Sequence, residues 1–439
     1  MARRYVIVGN GPAGATAAEA IRQHDAAGDI RIVGAEDVRF YSRPGLAYLL
    51  TGLVPERWLF SRPDSDYARA GVRRTVGTVR RIEPGGHRIE LVDGEAIAYD
   101  RLLLAVGARA VRPAIPGIEL EGVVTLDNLE DARTILKLAR RARRACVVGG
   151  GITAIEIAEG LSANGVETHY LMRGDRYWTS VLDPHESALV EERLAEHAIR
   201  IHRGVELAVA VGRKGRVTAV ETRDGQTLPC DILAVAIGTQ ARLELASEAG
   251  LEVGRGIWTD ASFRTSDPDI YAAGDAAEVL DPTTGTRSVD SLWSVAIEQG
   301  RAAGGHLSGA GEPYHRPAPF NVTRIGGVTT TLIGAVGTGG RDVDLVTLAR
   351  GDSDAWRQQL DAFAVVSDAG VNHLRLVLGD DRIVGAVVMG DQSLSRTLQH
   401  LVRERVDIRE VRDRLVGQPT EIRGLLEALM ERTVSVGAL

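Results

Sequence analysis

Cysteine is scarce in this chain of 439 residues, with only Cys146 and Cys230 present. Each lies in or beside an apolar, strand-like run, and no C-x-x-C or closely spaced pair occurs. Zinc and iron–sulfur sites need several thiolates at short spacing, so cysteine alone builds neither, and no metal site is expected. Two buried thiols in a reducing cytoplasm are the expectation. Aromatic residues make up 4%, too few for a base-stacking platform. Lysine is confined to Lys137 and Lys214, and 52 basic residues face 59 acidic ones for a net charge of −7. That balance argues against a nucleic-acid partner, which needs clustered positive charge. No apolar run approaches the roughly 18 residues of a membrane span. Met1-Ala2-Arg3-Arg4 runs straight into the strand-like Tyr5-Val6-Ile7-Val8, so no secretory leader is expected. A 44% hydrophobic and 25% charged composition is ordinary for a globular chain. The length suggests roughly two to four domains.

Glycine is abundant, at 50 residues, and it clusters in short punctuated sites. A strand, a glycine turn and a helix occur near residue 5 and again near residue 145. The first copy reads Tyr5–Val8, then Gly9-Asn10-Gly11-Pro12-Ala13-Gly14, then a helical run from Ala15 to Arg22 and a strand Ile30–Val33. This is the G-x-G-x-x-G dinucleotide fingerprint in its strand–turn–helix context. Gly9 permits the tight turn, Gly11 lets backbone reach a pyrophosphate on the helix N-terminus, and Gly14 lets helix pack on strand. Glu36 follows Gly14 by 22 residues, where a carboxylate accepts ribose hydroxyls.

The second copy reads Ala145–Val148, Gly149-Gly150-Gly151-Ile152-Thr153-Ala154, a helix through Glu156 and Glu159, and a strand Glu167–Leu171. It ends at Met172-Arg173-Gly174-Asp175-Arg176, with arginines where an NAD site carries an acid. A carboxylate repels a 2′-phosphate and arginine pairs with it, so NADPH is expected over NADH. Ala154 in the third-glycine place points the same way.

Two dinucleotide cradles in one chain suggest hydride exchange between two nucleotides. With them come Leu102–Ala108 before Ile115-Pro116-Gly117, the exit run Asp231–Gly238, Thr265-Ser266 with Ile270–Asp275, and Trp293 with Ala296, Gln299 and Gly300. In this ordered set the chain resembles the pyridine nucleotide–disulfide oxidoreductase-like family of two-dinucleotide-domain flavoproteins. The resemblance implies an α/β fold of two Rossmann-like domains, for FAD and NAD(P), plus a C-terminal α+β interface domain. The implied divisions are 1–112 and 244–315 for FAD, 113–243 for NAD(P), and 316–439 for the interface domain. It further implies FAD-side contacts from Gly9, Gly11, Pro12, Ala13, Gly14, Glu36, Arg43, Pro44, Val79, Ala105, Gly107, Gly274, Asp275 and Trp293. On the nicotinamide side it implies Gly149, Gly150, Gly151, Ile152, Thr153, Glu156, Arg173, Arg176 and Gly238. In the tail, Leu374–Leu378, Gly379-Asp380-Asp381 and Ile383–Val388 read as a hairpin, followed by helices over Ser393–Val402 and Thr420–Arg432.

The segment Phe40–Tyr48 decides the subclass. Thiol-dependent relatives carry a cysteine in or near this region, and Pro44 stands at the single-cysteine site. Thiol–disulfide exchange requires a thiolate, so disulfide reduction is excluded. Tyr41-x-Arg43-Pro44 resembles the reductases of ferredoxin and rubredoxin, in which the arginine helps hold the FAD diphosphate. Ala47 and Tyr48 depart from that pattern by removing a serine and a lysine. That lysine would pair with the glutamate matching Glu156, which is therefore expected to be protonated, to bond Tyr48 or to position the nicotinamide carboxamide.

The resemblance implies electrons passing from NAD(P)H through FAD to a one-electron carrier such as ferredoxin or rubredoxin. Reduction of a quinone, oxygen or another small acceptor is the alternative, as is a place in a nitrite-reductase-like system. A homodimer or a larger redox complex fits the tail. Lys137, Arg140, Arg141, Arg143 and Arg144 read mainly as a solvated helix end, with carrier steering as the sharper alternative. His185, His197, His202 and His315 lack ligand spacing and read as surface or packing residues. The stripe Ile422, Leu425, Leu426, Leu429 and Met430 reads as packing within its own domain or against a second copy, ahead of membrane docking.

Overall fold

The computed structural model describes residues 2–282, 285–312, 314–337, 363–369, 372–418 and 421–436. Strand β1 (Arg4–Val8) leads into helix α1 (Pro12–His24) and returns as β2 (Asp29–Gly34). After a short helix α2 (Gly45–Leu50), β3 (Val72–Val76) and β4 (Arg101–Leu104) complete most of a parallel sheet. Alternating Val, Ile and Leu are buried on both faces, as a sheet covered on two sides requires. The edge beside β4 is filled much later in the chain, by Ile270–Ala272.

The second unit repeats the plan. Its strands are β5 (Val123–Val124), β6 (Arg144–Val148), β7 (Glu167–Met172), β8 (Ile199–Arg203) and β9 (Ile232–Val235), with helices α3 (Ile152–Ala163) and α4 (Pro184–Glu196). The sheet order is β8-β7-β6-β9-β5. The repeat extends to register: Arg4 pairs with Asp29 and Val8 with Val33, as Arg144 pairs with Glu167 and Val148 with Leu171. A small antiparallel three-stranded sheet accompanies each parallel one, 79–98 in the first unit and 207–229 in the second. The chain crosses between units through two segments that pair with each other, Ala108–Ala110 against Thr239–Ala241.

Returning to the first sheet as β10 (Ile270–Ala272), the chain enters α5 (Trp293–Ser308), which lies against α1. A Cβ at Gly300 or Gly304 would collide with the α1 backbone at Ala13 or Ala17, so glycine sets the helix spacing there. The tail is an antiparallel sheet of β11 (Phe320–Ile325), β12 (Val328–Gly334), β13 (Phe363–Ala369), β14 (Asn372–Leu378) and β15 (Ile383–Met389). Its order is β11-β12-β15-β14-β13. The expected hairpin is β14–β15, with Leu378 opposite Ile383. The expected helices are α6 (Ser395–Arg403) and α7 (Ile422–Val436), while Thr420 lies outside the described residues. Ile422, Leu425, Leu426 and Leu429 are buried against Leu376, Ile383 and Leu398, so this stripe packs within its own domain. Among the described residues, no helix is long and apolar enough to cross a membrane.

One apolar layer runs through all three units, joining Tyr41, Leu46 and Leu50 to Ile155, Ala158 and Tyr170 and then to Ile325, Leu332 and Met389. Helix α2 seats on α3 at Gly160, where a Cβ would stand 2.6 Å from the Leu50 Cβ. Asn164 Nδ2 donates to the Leu50 carbonyl at 2.8 Å. This contact brings α2, with Tyr48, alongside the second cradle.

Candidate active site

The first cradle is built by backbone geometry. Gly9 has φ +115°, and a Cβ there would collide with the Ala105 carbonyl, so β1 and β4 converge only on glycine. A Cβ at Gly14 would collide with the Gly9 carbonyl, which packs the helix on the turn. Gly11 is the N-cap of α1, has no side-chain cap and faces open space, with nothing within 4 Å of an ideal Cβ. Unpaired N–H groups at such a terminus attract an anion. The second cradle repeats the relation: a Cβ at Gly149 would collide with the Ala236 carbonyl, and one at Gly150 would meet nothing within 4 Å.

Between the units lies a cavity of about 730 Å³, within the roughly 300–1,000 Å³ of ligand sites. Its wall gathers Gly9, Gly11, Pro12, Ala13, Glu36, Arg43, Pro44, Val79, Ala105, Gly107, Gly274, Asp275 and Trp293. From the second unit it takes Ile152 and Glu156. Gly14 lies behind the wall as a packing residue. Gly151, Thr153 and Gly238 line a separate narrow pocket, and Thr239 lines both. Gly149, Gly150, Arg173 and Arg176 line neither. Arg173 is exposed just beyond β7, and Arg176 is half-buried with its Nε unpaired.

A charged network crosses the cavity wall. Arg43 Nη2 bonds Glu36 Oε1 at 2.8 Å, and its Nη1 donates to the Asp127 carbonyl. Burial works against the Arg43 charge, but Tyr41, Glu36, Asp127 and Asp275 more than offset it, so the group stays a cation. Burial pushes the Tyr41 phenol well above its usual range, leaving it a donor to Glu36 Oε2 at 2.9 Å and an acceptor from Leu129 N–H at 3.1 Å. Arg242 Nη2 pairs with Asp127 Oδ2 at 2.8 Å. A carboxylate has about four acceptor positions, so Glu36 retains capacity for ribose hydroxyls. At the opposite end, Gly274 N–H donates to Gln299 Oε1 at 2.8 Å, orienting the turn that carries Asp275. Helix α5 begins at Trp293 with no side-chain cap, and Ser291, Leu292 and Trp293 line the cavity at that terminus. Trp293 stands 5.7 Å, centroid to centroid, from Phe40.

The open turn at Gly11, the arginine over the wall and the uncapped α5 terminus fit a long diphosphate-bridged dinucleotide. Sequence reasoning passed over Asp127, Arg242, Thr239, Glu159 and Arg324, which also line the cavity. For Glu159 the signal was available, one helical turn beyond Glu156. Arg324 carried none, because it arrives from the tail. Arg324 shares the cavity wall with Glu156. Burial, then the Glu156 charge, pushes the Tyr48 phenol upward, while Arg324 pulls it down.

Other clusters lie elsewhere. Cys146 and Cys230, far apart in sequence, meet in the apolar layer of the second unit, both free and buried. Contact with the Cys230 thiol, with burial, pushes the Cys146 thiol far up, so Cys146 supplies no thiolate. His169 and His202 stack, and their Nδ1 and Nε2 lie 2.9 Å apart. Asp183, Glu186 and His373 bring ligand atoms within 4.8 Å of one another. There Arg375 takes both Glu186 oxygens, at 2.8 and 3.0 Å, so the cluster is an ion pair. Lys137, Arg140, Arg141, Arg143 and Arg144 are exposed and lie off the cavity wall.

A model of the pyridine nucleotide-disulphide oxidoreductases matches residues 3–300. A rubredoxin-NAD(+) reductase of Pseudomonas putida is 32% identical over 346 residues, covering 78% of this chain and 89% of its own. The ferredoxin–NAD(+) reductase component of the biphenyl dioxygenase system of Paraburkholderia xenovorans strain LB400 is 34% identical over 331 residues, covering 75% and 80%. Among solved structures, the covalent putidaredoxin reductase–putidaredoxin complex matches with a TM-score of 0.84 at 25% identity, covering 97% of this chain and 99% of that one. The ferredoxin reductase for the CYP199A2 system from Rhodopseudomonas palustris matches with a TM-score of 0.80 at 26% identity, covering 90% and 93%. With two nucleotide cradles in one chain and the match spanning both, the chain belongs to the pyridine nucleotide-disulphide oxidoreductase family, as an FAD-dependent oxidoreductase that uses a nicotinamide nucleotide.

Proposed function

We propose that this enzyme takes electrons from NAD(P)H and passes them singly to an iron–sulfur carrier of the rubredoxin or ferredoxin type, with no sulfur relay. The observation that carries the reading is one cavity reaching from the first cradle to Glu156 and Thr239, with Arg43 and Pro44 on its wall and both thiols buried elsewhere. FAD, when bound, supplies the two-electron acceptor and one-electron donor that side chains lack. The chain's part is binding, orientation and electrostatics. The α1 terminus and Arg43 hold the diphosphate, Glu36 the ribose and Asp275 the ribityl chain. The α5 terminus favours negative charge at the ring it faces. Glu156 orients the carboxamide of the nicotinamide, so that donor and acceptor rings meet in a reactive geometry.

The four-segment division given above is proposed for the domains, supported by the two parallel sheets and the antiparallel tail. A cytoplasmic location is proposed on the two unpaired thiols. NADPH preference is also proposed, on Arg173 and Arg176 following β7, although the relatives described above are named for NAD(+). Direct reduction of oxygen is the second reading, supported by an NADH oxidase of Methanocaldococcus jannaschii that is 30% identical over 337 residues.

Anaerobic stopped-flow absorbance tests the main reading. The flavin should bleach on mixing with NADH or NADPH, reoxidise fast with ferredoxin or rubredoxin, and reoxidise slowly in air. Fast turnover with oxygen or a quinone and none with either carrier would replace it by the second reading.

A further inference from the structure

The two carboxylates of α3, Glu156 and Glu159, sit one helical turn apart on the same face and line the same cavity. Glu156 has a role in the reading above. Glu159 has none, yet its side chain is only 12% exposed. Its Oε1 accepts the Gly327 N–H at 3.0 Å. Gly327 belongs to the tip of the β11–β12 hairpin, where Gly326 and Gly327 have φ +58° and +72°. That tight tip docks onto the second unit: a Cβ at Gly326 would stand 2.8 Å from the Arg193 Cβ, and one at Gly327 3.1 Å from the His197 ring. Arg324, on the same hairpin, folds back so that its Nε donates to the Gly327 carbonyl at 3.1 Å while the residue lines the cavity.

Resting on the oxidoreductase reading, we propose that Glu159 is a positioning residue that latches the tail hairpin to α3 and thereby holds Arg324 at the nicotinamide end of the cavity. As carboxylate, Glu159 bonds the Gly327 amide and attracts Arg324, and the hairpin stays seated. As neutral acid it loses most of that attraction, and Arg324 is no longer held at the cavity wall. The groups facing it are Glu156 on its own helix, Arg324 and the Gly327 amide from the hairpin, and His197 beyond α4, whose Nδ1 lies 4.0 Å away. Tyr48 of α2 adds a phenol within range of the pair. Burial pushes the Glu159 carboxyl up to about 7, Glu156 adds to that, and the Gly327 amide and Arg324 oppose it. The latch therefore loosens as pH falls through neutrality.

The experiment uses the FAD-loaded enzyme, its Glu159→Gln and Arg324→Gln variants, and NADH in anaerobic stopped flow from pH 6 to pH 8.5. In the wild type, KM for NADH should rise as pH falls below about 7, by up to about tenfold per pH unit, with a smaller change in the limiting reduction rate. Glu159→Gln should flatten that profile. Arg324→Gln should raise KM throughout the range and flatten the profile as well, because the cation that the latch holds in place is gone. Hydrogen–deuterium exchange at a single pH of 8 gives a readout independent of activity. The 320–334 peptide should exchange faster in Glu159→Gln at equal flavin content. Superimposable pH profiles and unchanged exchange would overturn the inference while leaving the oxidoreductase reading intact. Failure of both NADH and NADPH to reduce the wild-type flavin would overturn that reading, and this inference with it.

Discussion

Arg375 joins the tail to the second nucleotide unit, and its removal should be costly. Its side chain is 5% exposed, and that of Glu186, on α4, is 0% exposed. The guanidinium grips both Glu186 oxygens, at 2.8 and 3.0 Å, and also donates to the Val336 and Val181 carbonyls at 3.1 and 2.9 Å. His373 holds Glu186 Oε1 from the other side at 3.0 Å. Arg375→Met keeps most of the volume but leaves a buried carboxylate without its cation. Breaking one side of such a pair costs about 3–5 kcal/mol. At about 2–4 °C per kcal/mol for a unit of this size, the apparent unfolding temperature should fall by roughly 6–20 °C. Calorimetry of FAD-saturated protein at one fixed scan rate measures it. Burial raises the Glu186 carboxyl, but His373 and Arg375 more than reverse this, so the net direction is below the ordinary 4.5. A depressed folded value stabilises above the unfolded one and is lost as pH falls through the folded value. The gap between wild type and variant should therefore be full above about pH 4.5 and close under stronger acid. Pairing Arg375→Met with Glu186→Leu should recover much of the loss, short of about 1 kcal/mol for the helix cap that Glu186 shares with Asp183. A single variant that melts within about 2 °C of wild type would refute the reasoning.

Arg43→Ala should weaken FAD retention at least about tenfold, since a charge-assisted contact to a diphosphate is lost, as read by flavin released on dilution. Gly300→Leu should cost at least about 1–3 kcal/mol by overpacking the α1–α5 contact and yield protein depleted in flavin, whereas exposed Glu298→Gln should retain it. Replacing both Cys146 and Cys230 by alanine should leave the rate of flavin reduction and carrier turnover within about twofold, and a loss of turnover with flavin retained would reinstate a sulfur role. Arg173→Ala should lower kcat/KM for NADPH about tenfold or more with little change for NADH. A wild-type preference for NADH would count against the proposed NADPH preference from the outset.

What could be read from the chain alone was short-range. Gly9, Gly11 and Gly14 announced a cradle because each obeys a local backbone rule, a turn at positive φ, an open approach and a close helix contact. The β14–β15 hairpin and the buried stripe of α7 were legible for the same reason, because period and turn chemistry lie within a few residues. Tertiary structure alone decided which side chains meet across units. Glu159 and Gly327 are 168 residues apart, Arg242 and Asp127 115, and Arg375 and Glu186 189. Such pairs depend on how three units dock, which small residues such as Gly160 and Gly326 set by allowing close approach. Arg324 reaches the cavity wall that Glu156 lines only because the tail hairpin docks there, and no local pattern encodes that arrival.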